Sequence, residues 1–70
     1  MSFDDITQAC LLIFDTLKDD EEAQDIIELI DSAEGDDAIK EGLQKAVLRL
    51  DVINPAVAKE VREKANGFAF

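Results

Sequence analysis

The sequence predicts an all-α fold, a compact single domain built from four short helices. Three observations carry that prediction. Apolar residues recur at three- and four-residue spacing along most of the chain, and they do not alternate as a half-buried strand would require. Two strong stop-and-start signals, Glu34-Gly35-Asp36-Asp37 and Asn54-Pro55, divide the periodic stretches. Ile, Leu, Val and Phe supply 22 of the 70 residues, well above the roughly 20% below which a charged chain stays disordered.

The first helix is expected over residues 3–18. Ser2 and Asp5 have the spacing of an N-cap and its acidic partner, and Asp4 and Asp5 suit the positive end of the helix dipole. Ile6, Ala9, Cys10, Ile13, Phe14 and Leu17 form one stripe. Leu11 and Leu12 widen it beyond one face, which predicts a central helix contacted by several others.

Lys18-Asp19-Asp20-Glu21-Glu22 interrupts the stripe, and an Asp cap followed by acids starts a second helix over residues 20–33. Its inner face is Ala23, Ile26, Ile27, Ile30 and Ala33, with Leu29 at the margin. Its outer face is acidic: Glu21, Asp25, Glu28, and Asp31 or Ser32. Gly35 suits the left-handed C′ position after that helix, and Asp36 or Asp37 can cap the next.

The third helix is expected over residues 37–50, with Ile39, Leu43, Ala46, Val47 and Leu50 inside. Lys40, Glu41, Gln44, Lys45 and Arg49 fall outside, and Glu41 and Lys45 have the favourable i,i+4 order. Gly42 in mid-helix costs about 1 kcal/mol against Ala. Close approach of another helix, the first being the candidate, would offset it. Asp51 to Pro55 reads as a break, with Asn54 as N-cap and Pro55 at the first helical position of a helix over residues 55–66. Val57, Ala58, Val61 and Ala65 give that helix a narrow edge, and Lys59–Glu63 and Glu60–Lys64 are further i,i+4 pairs. Gly67 is expected to end it with positive φ. Phe68-Ala69-Phe70 is too apolar for an idle tail.

Composition excludes much chemistry. There is no His, Tyr or Trp, and one Cys. The commonest general base and transition-metal ligand are therefore missing, and thiolate zinc sites need several Cys. Cys10 reads as a small buried hydrophobe, and one Cys fits a reducing compartment. Gly35, Gly42 and Gly67 are too sparse for a phosphate loop. A calcium loop with Gly35 at its sixth position would start at Ile30, so the ligand pattern fails. No enzyme activity, cofactor or metal site is expected. The longest apolar run, Ala9 to Phe14, is six residues, against roughly 20 for a membrane span. No basic segment precedes a hydrophobic stretch as in a secretory signal, and a cytoplasmic location is expected.

The formal charge is −10, the wrong sign for direct binding of nucleic acid. It is also lopsided. Residues 1–37 hold 13 acids and only Lys18, whereas residues 38–70 carry a net +2. The acidic half can be a solvated face, can pair with the later bases within one chain or head-to-tail in a homo-oligomer, or can dock a basic protein partner. The leading expectation is a non-enzymatic protein–protein interaction or regulatory module. Its binding residues would be Glu21, Asp25, Glu28 and Asp31, together with Phe68 and Phe70.

Two short motifs resemble known families. Asp31-Ser32-Ala33 resembles the Asp-Ser-Leu of acyl carrier proteins, with Ala in place of Leu. That resemblance implies a phosphopantetheine-bearing Ser32 at the opening of a helix. Asn54-Pro55-Ala56-Val57 resembles the turn before the last helix of bacteriocin immunity proteins, and small phage-encoded inhibitors share the size and helical character. These resemblances would imply an inhibitor of a protein partner. Each covers one short motif, and the chain is not assigned to any of these families.

Overall fold

The computed structural model describes residues 3–66. The Ser2 cap, the Gly67 stop, and Phe68 and Phe70 lie outside the described residues. Four helices make up the fold: α1 Phe3–Leu17, α2 Gln24–Asp31, α3 Asp36–Ile53 and α4 Pro55–Lys64, with a 3₁₀ turn at Glu21–Ala23 ahead of α2. There is no strand among the described residues.

The apolar stripes face one another as their spacing requires. Ala9, Ile13 and Leu17 of α1 are buried, with Ile30 of α2, Leu43, Ala46, Val47 and Leu50 of α3, and Ala58 and Val61 of α4. Ile6, Cys10, Phe14, Ile26, Ile27, Ile39 and Val57 pack at the edge of this core. Five of its twelve buried apolar residues are alanine, so the helices approach closely. The radius of gyration is 10.6 Å, against about 11 Å for a compact chain of this length.

The contacts form a ring. α1 packs on α4, α4 on α3 and α3 on α2, and a lesser α1–α2 contact closes it. No helix is central, which corrects the expectation for α1. Each short helix gives one face to a shared core, so Leu11, off that face, is 60% exposed.

Three boundaries differ from expectation. α3 continues through Asp51, Val52 and Ile53 to a C-cap at Asn54. Nothing in that stretch breaks a helix, and a proline disfavours helical geometry only at the residue before it. Asn54 there has φ −155° and accepts from the Val57 N–H at 3.4 Å, the expected cap for a helix opening on Pro55. The segment after Asp20 opens as a 3₁₀ turn because Asp20 caps the Glu22 N–H at 3.1 Å, and Ala23 leaves α geometry. α2 ends at Asp31, before the expected residue 33, where the Ser32 hydroxyl donates to the Glu28 carbonyl at 2.7 Å. Gly35 does have positive φ, but with φ 84° and ψ 164° it is the N-cap of α3 rather than the C′ residue of α2. Asp36 and Asp37 occupy the first turn of α3.

The partner of Gly42 is also corrected. A Cβ on Gly42 would lie 2.6 Å from Ile30 Cγ1, so α2 is the helix that closes on it, not α1. One ion pair ties the first connection to α3. Arg49 donates from Nε to Asp20 Oδ2 at 2.6 Å and from Nη2 to Asp20 Oδ1 at 3.1 Å, and its Nη1 lies 3.1 Å from Glu22 Oε2. The Arg49 and Asp20 side chains are only 27% and 15% exposed. The Gln24 side-chain amide completes the join, donating to the Lys18 and Asp20 carbonyls at 3.3 and 2.9 Å.

Candidate functional site

The acidic residues singled out from the sequence lie on one side of the second segment, though not on one helix. Asp25, Glu28 and Asp31 follow at three-residue spacing on α2, spanning about 9 Å of its axis. Glu21 precedes them on the 3₁₀ turn. All four are exposed. Among the described residues none of the four ion-pairs with a base. Other acids do: Asp15 with Lys18 at 3.4 Å, Glu41 with Lys45 at 3.5 Å, Asp51 with Arg62 at 2.6 Å, and Asp20 and Glu22 with Arg49. Lys45, Arg49 and Arg62 of the later helices are thus engaged, but with acids outside the stripe. Lys64, expected to pair with Glu60, instead donates to Gln8 Oε1 at 2.8 Å.

Two arginines act on the carboxylates they hold. The hydrogen bond from Arg49 holds the Asp20 carboxyl below the usual aspartate range, and Arg62 does the same for Asp51. Helix ends account for others: Asp36 and Asp37 in the first turn of α3, and Asp25 in the first turn of α2, meet the positive end of a helix dipole. Glu28 and Asp31 have neither support. Asp31 is the last residue of α2, where the dipole disfavours a negative charge.

The structure adds an apolar feature that the sequence reading missed. Leu48 and Val52 are 67% and 74% exposed on α3. Their four-residue spacing puts them on one face, and that spacing was the available signal; treating residue 51 onward as a break hid it. Gln44, Val47, Leu48 and Arg62 line an open groove of about 290 Å³ beside them. A second open groove, about 350 Å³, lies between α1 and α4 around Leu11 and Leu12.

Reactive chemistry is sparse. Cys10 is a half-buried free thiol whose pKa burial pushes up, so it is disfavoured as a thiolate. No group of three or more Cys, Asp or Glu among the described residues is arranged to hold a metal ion. No helix among them is long and apolar enough to cross a membrane. Ser32 closes α2 rather than opening a helix, unlike the serine position that the carrier-protein resemblance implies. Phe68 and Phe70, the remaining expected binding residues, lie outside the described residues. Comparison with protein-family models, curated proteins and solved structures finds no match to this chain.

Proposed function

We propose that this protein is a small non-enzymatic interaction or regulatory module that docks a basic protein partner through Glu21, Asp25, Glu28 and Asp31. One observation carries the reading: four exposed acids on one side of the α2 segment have no basic partner within the described fold, while Asp20 and Glu22 beside them are paired with Arg49. Two of them, Glu28 and Asp31, do nothing for the helix that bears them. An unneutralised face of one sign speeds encounter with a basic surface and repels acidic competitors.

Capture from the native host with wild-type and Asp25→Lys/Glu28→Lys baits tests this reading. The partner is retained by the wild type and lost by the reversal, and its association slows as salt rises. The fold is retained, with a loss of about 0.3–1 kcal/mol from the reversed charge of Asp25 in the first turn of α2. Equal capture by both baits would assign the face to solubility alone.

A further inference from the structure

Residues 20–31, the 3₁₀ turn and α2 together, are bound to the fold by less than the other helices are. They supply two of the twelve buried apolar residues, Ala23 and Ile30; the rest belong to α1, α3 and α4 or to the Ala65 cap of α4. α2 has eight residues, too few to hold a helix in water without packing. It packs chiefly on α3 and less on α1, whereas α1, α3 and α4 share two broad faces. Its charge also works against it: Asp25, Glu28 and Asp31 follow one another at three-residue spacing, and like charges on neighbouring turns weaken a helix.

The attachments lie at the two ends. At the start, Arg49 of α3 holds Asp20 at 2.6 and 3.1 Å and reaches Glu22 at 3.1 Å. Among the described residues it is the only base that ion-pairs with this segment. At the far end, Ile30 seats against Gly42 of α3, where a Cβ would stand 2.6 Å from its Cγ1. We propose that residues 20–31 form a strap that lifts from α3 as one unit while α1, α3 and α4 stay folded, with Arg49 as its clasp. Opening breaks the Arg49 contacts, withdraws Ile30 and uncovers the α3 face around Gly42. Both hinges lie outside the α-helices, at residues 18–20 and 32–35. Openings of this kind draw on the parts of a fold with the fewest buried apolar contacts.

The strap does not rest on the docking reading, and no partner enters its test. The test is native-state hydrogen exchange of the 70-residue chain, read amide by amide by nuclear magnetic resonance. In the wild type, the Leu29 and Ile30 amides exchange at least tenfold faster than those of Ile13 and Val47, and with a weaker denaturant dependence. Arg49→Gln removes contacts present only when the strap is closed, so Leu29 and Ile30 exchange about tenfold faster. Val61→Ala weakens the α4 packing that the open form keeps. It speeds Ile13 and Val47 about tenfold and leaves Leu29 and Ile30 unchanged. Leu29 and Ile30 exchanging as slowly as Ile13 and Val47 in the wild type, or no response of Leu29 and Ile30 to Arg49→Gln, would overturn the proposal. So would equal acceleration of all four amides by Val61→Ala. The wild-type comparison decides even where Val61→Ala fails to fold.

Discussion

Gly42→Ala sets two effects of opposite sign against each other at one position. Alanine in mid-helix gains about 1 kcal/mol over glycine. The added Cβ, however, would stand 2.6 Å from Ile30 Cγ1 and 3.6 Å from Ile30 Cα. The second distance is ordinary contact; the first is about 0.8 Å short of the 3.4 Å at which ordinary contact begins. Cγ1 is bonded directly to the branched Cβ of a side chain with a stiff χ1, so it does not swing aside. Either α2 moves outward or Ile30 leaves its rotamer, and overpacking of that kind costs about 1–3 kcal/mol. The net expectation is a loss of about 0–2 kcal/mol despite the better helix former.

The companion change removes the obstacle. Ile30→Ala alone costs about 2–5 kcal/mol. In that background Gly42→Ala becomes stabilising by about 1 kcal/mol, because only the helix propensity remains. Urea unfolding of the four proteins by circular dichroism measures the coupling, with equal trimethylamine oxide in all samples where Ile30→Ala needs support. The change of sign between backgrounds is the decisive result. Equal stabilisation in both would show that Ile30 does not require a glycine opposite it.

Three other outcomes follow from single features. Gly35→Ala loses about 1–3 kcal/mol through backbone strain alone, since nothing lies within 4 Å of its Cβ position and φ is +84°; a neutral result in urea unfolding would refute the assigned conformation. The Asp20 carboxyl is held low by Arg49, so its stabilisation is complete above the ordinary aspartate value of about 3.9 and is lost as pH falls through the lowered folded value. The stability gap between wild type and Asp20→Asn should therefore be constant near neutrality and close in acid, and a gap that widened in acid would contradict the pairing. Asp31→Lys should raise stability by about 0.3–1 kcal/mol at low salt while weakening partner capture; a destabilised variant would show that Asp31 supports α2 in some other way.

The four inner faces were legible in the sequence because helical periodicity is local. Ile13, Leu43, Leu50 and Val61 announce their burial by their neighbours three and four positions away. Asn54-Pro55 was legible for the same reason, as was the positive φ of Gly35. What escaped depends on which faces meet. Arg49 finds Asp20 across 29 residues, and Ile30 closes on Gly42 only because α2 rather than α1 lies against that side of α3. Spacing along the chain contains no record of either. The end of α3 was misplaced because Asp51, Val52 and Ile53 are poor signals in both directions, and the exposed Leu48–Val52 pair was lost with it. Exposure of Asp25, Glu28 and Asp31 could be read by subtraction, since Ile26, Ile27 and Ile30 already occupied the inner face.

Solubility and docking make different demands on the acidic face, and the charge reversal separates them. A small domain is kept soluble by a net charge of about 2–8 in magnitude with both signs interspersed. This chain carries −10, and residues 19–37 contain ten acids and no base. The fold employs some of the ten: Asp20 and Glu22 hold Arg49, and Asp25, Asp36 and Asp37 sit at helix starts. Glu28 and Asp31 serve neither use, and Asp31 acts against its own helix. Each acid-to-lysine reversal changes the charge by two, so Asp25→Lys/Glu28→Lys takes the chain from −10 to −6, still within the soluble range. A bait that stays soluble and folded yet loses its partner would therefore assign the loss to those two carboxylates and not to aggregation.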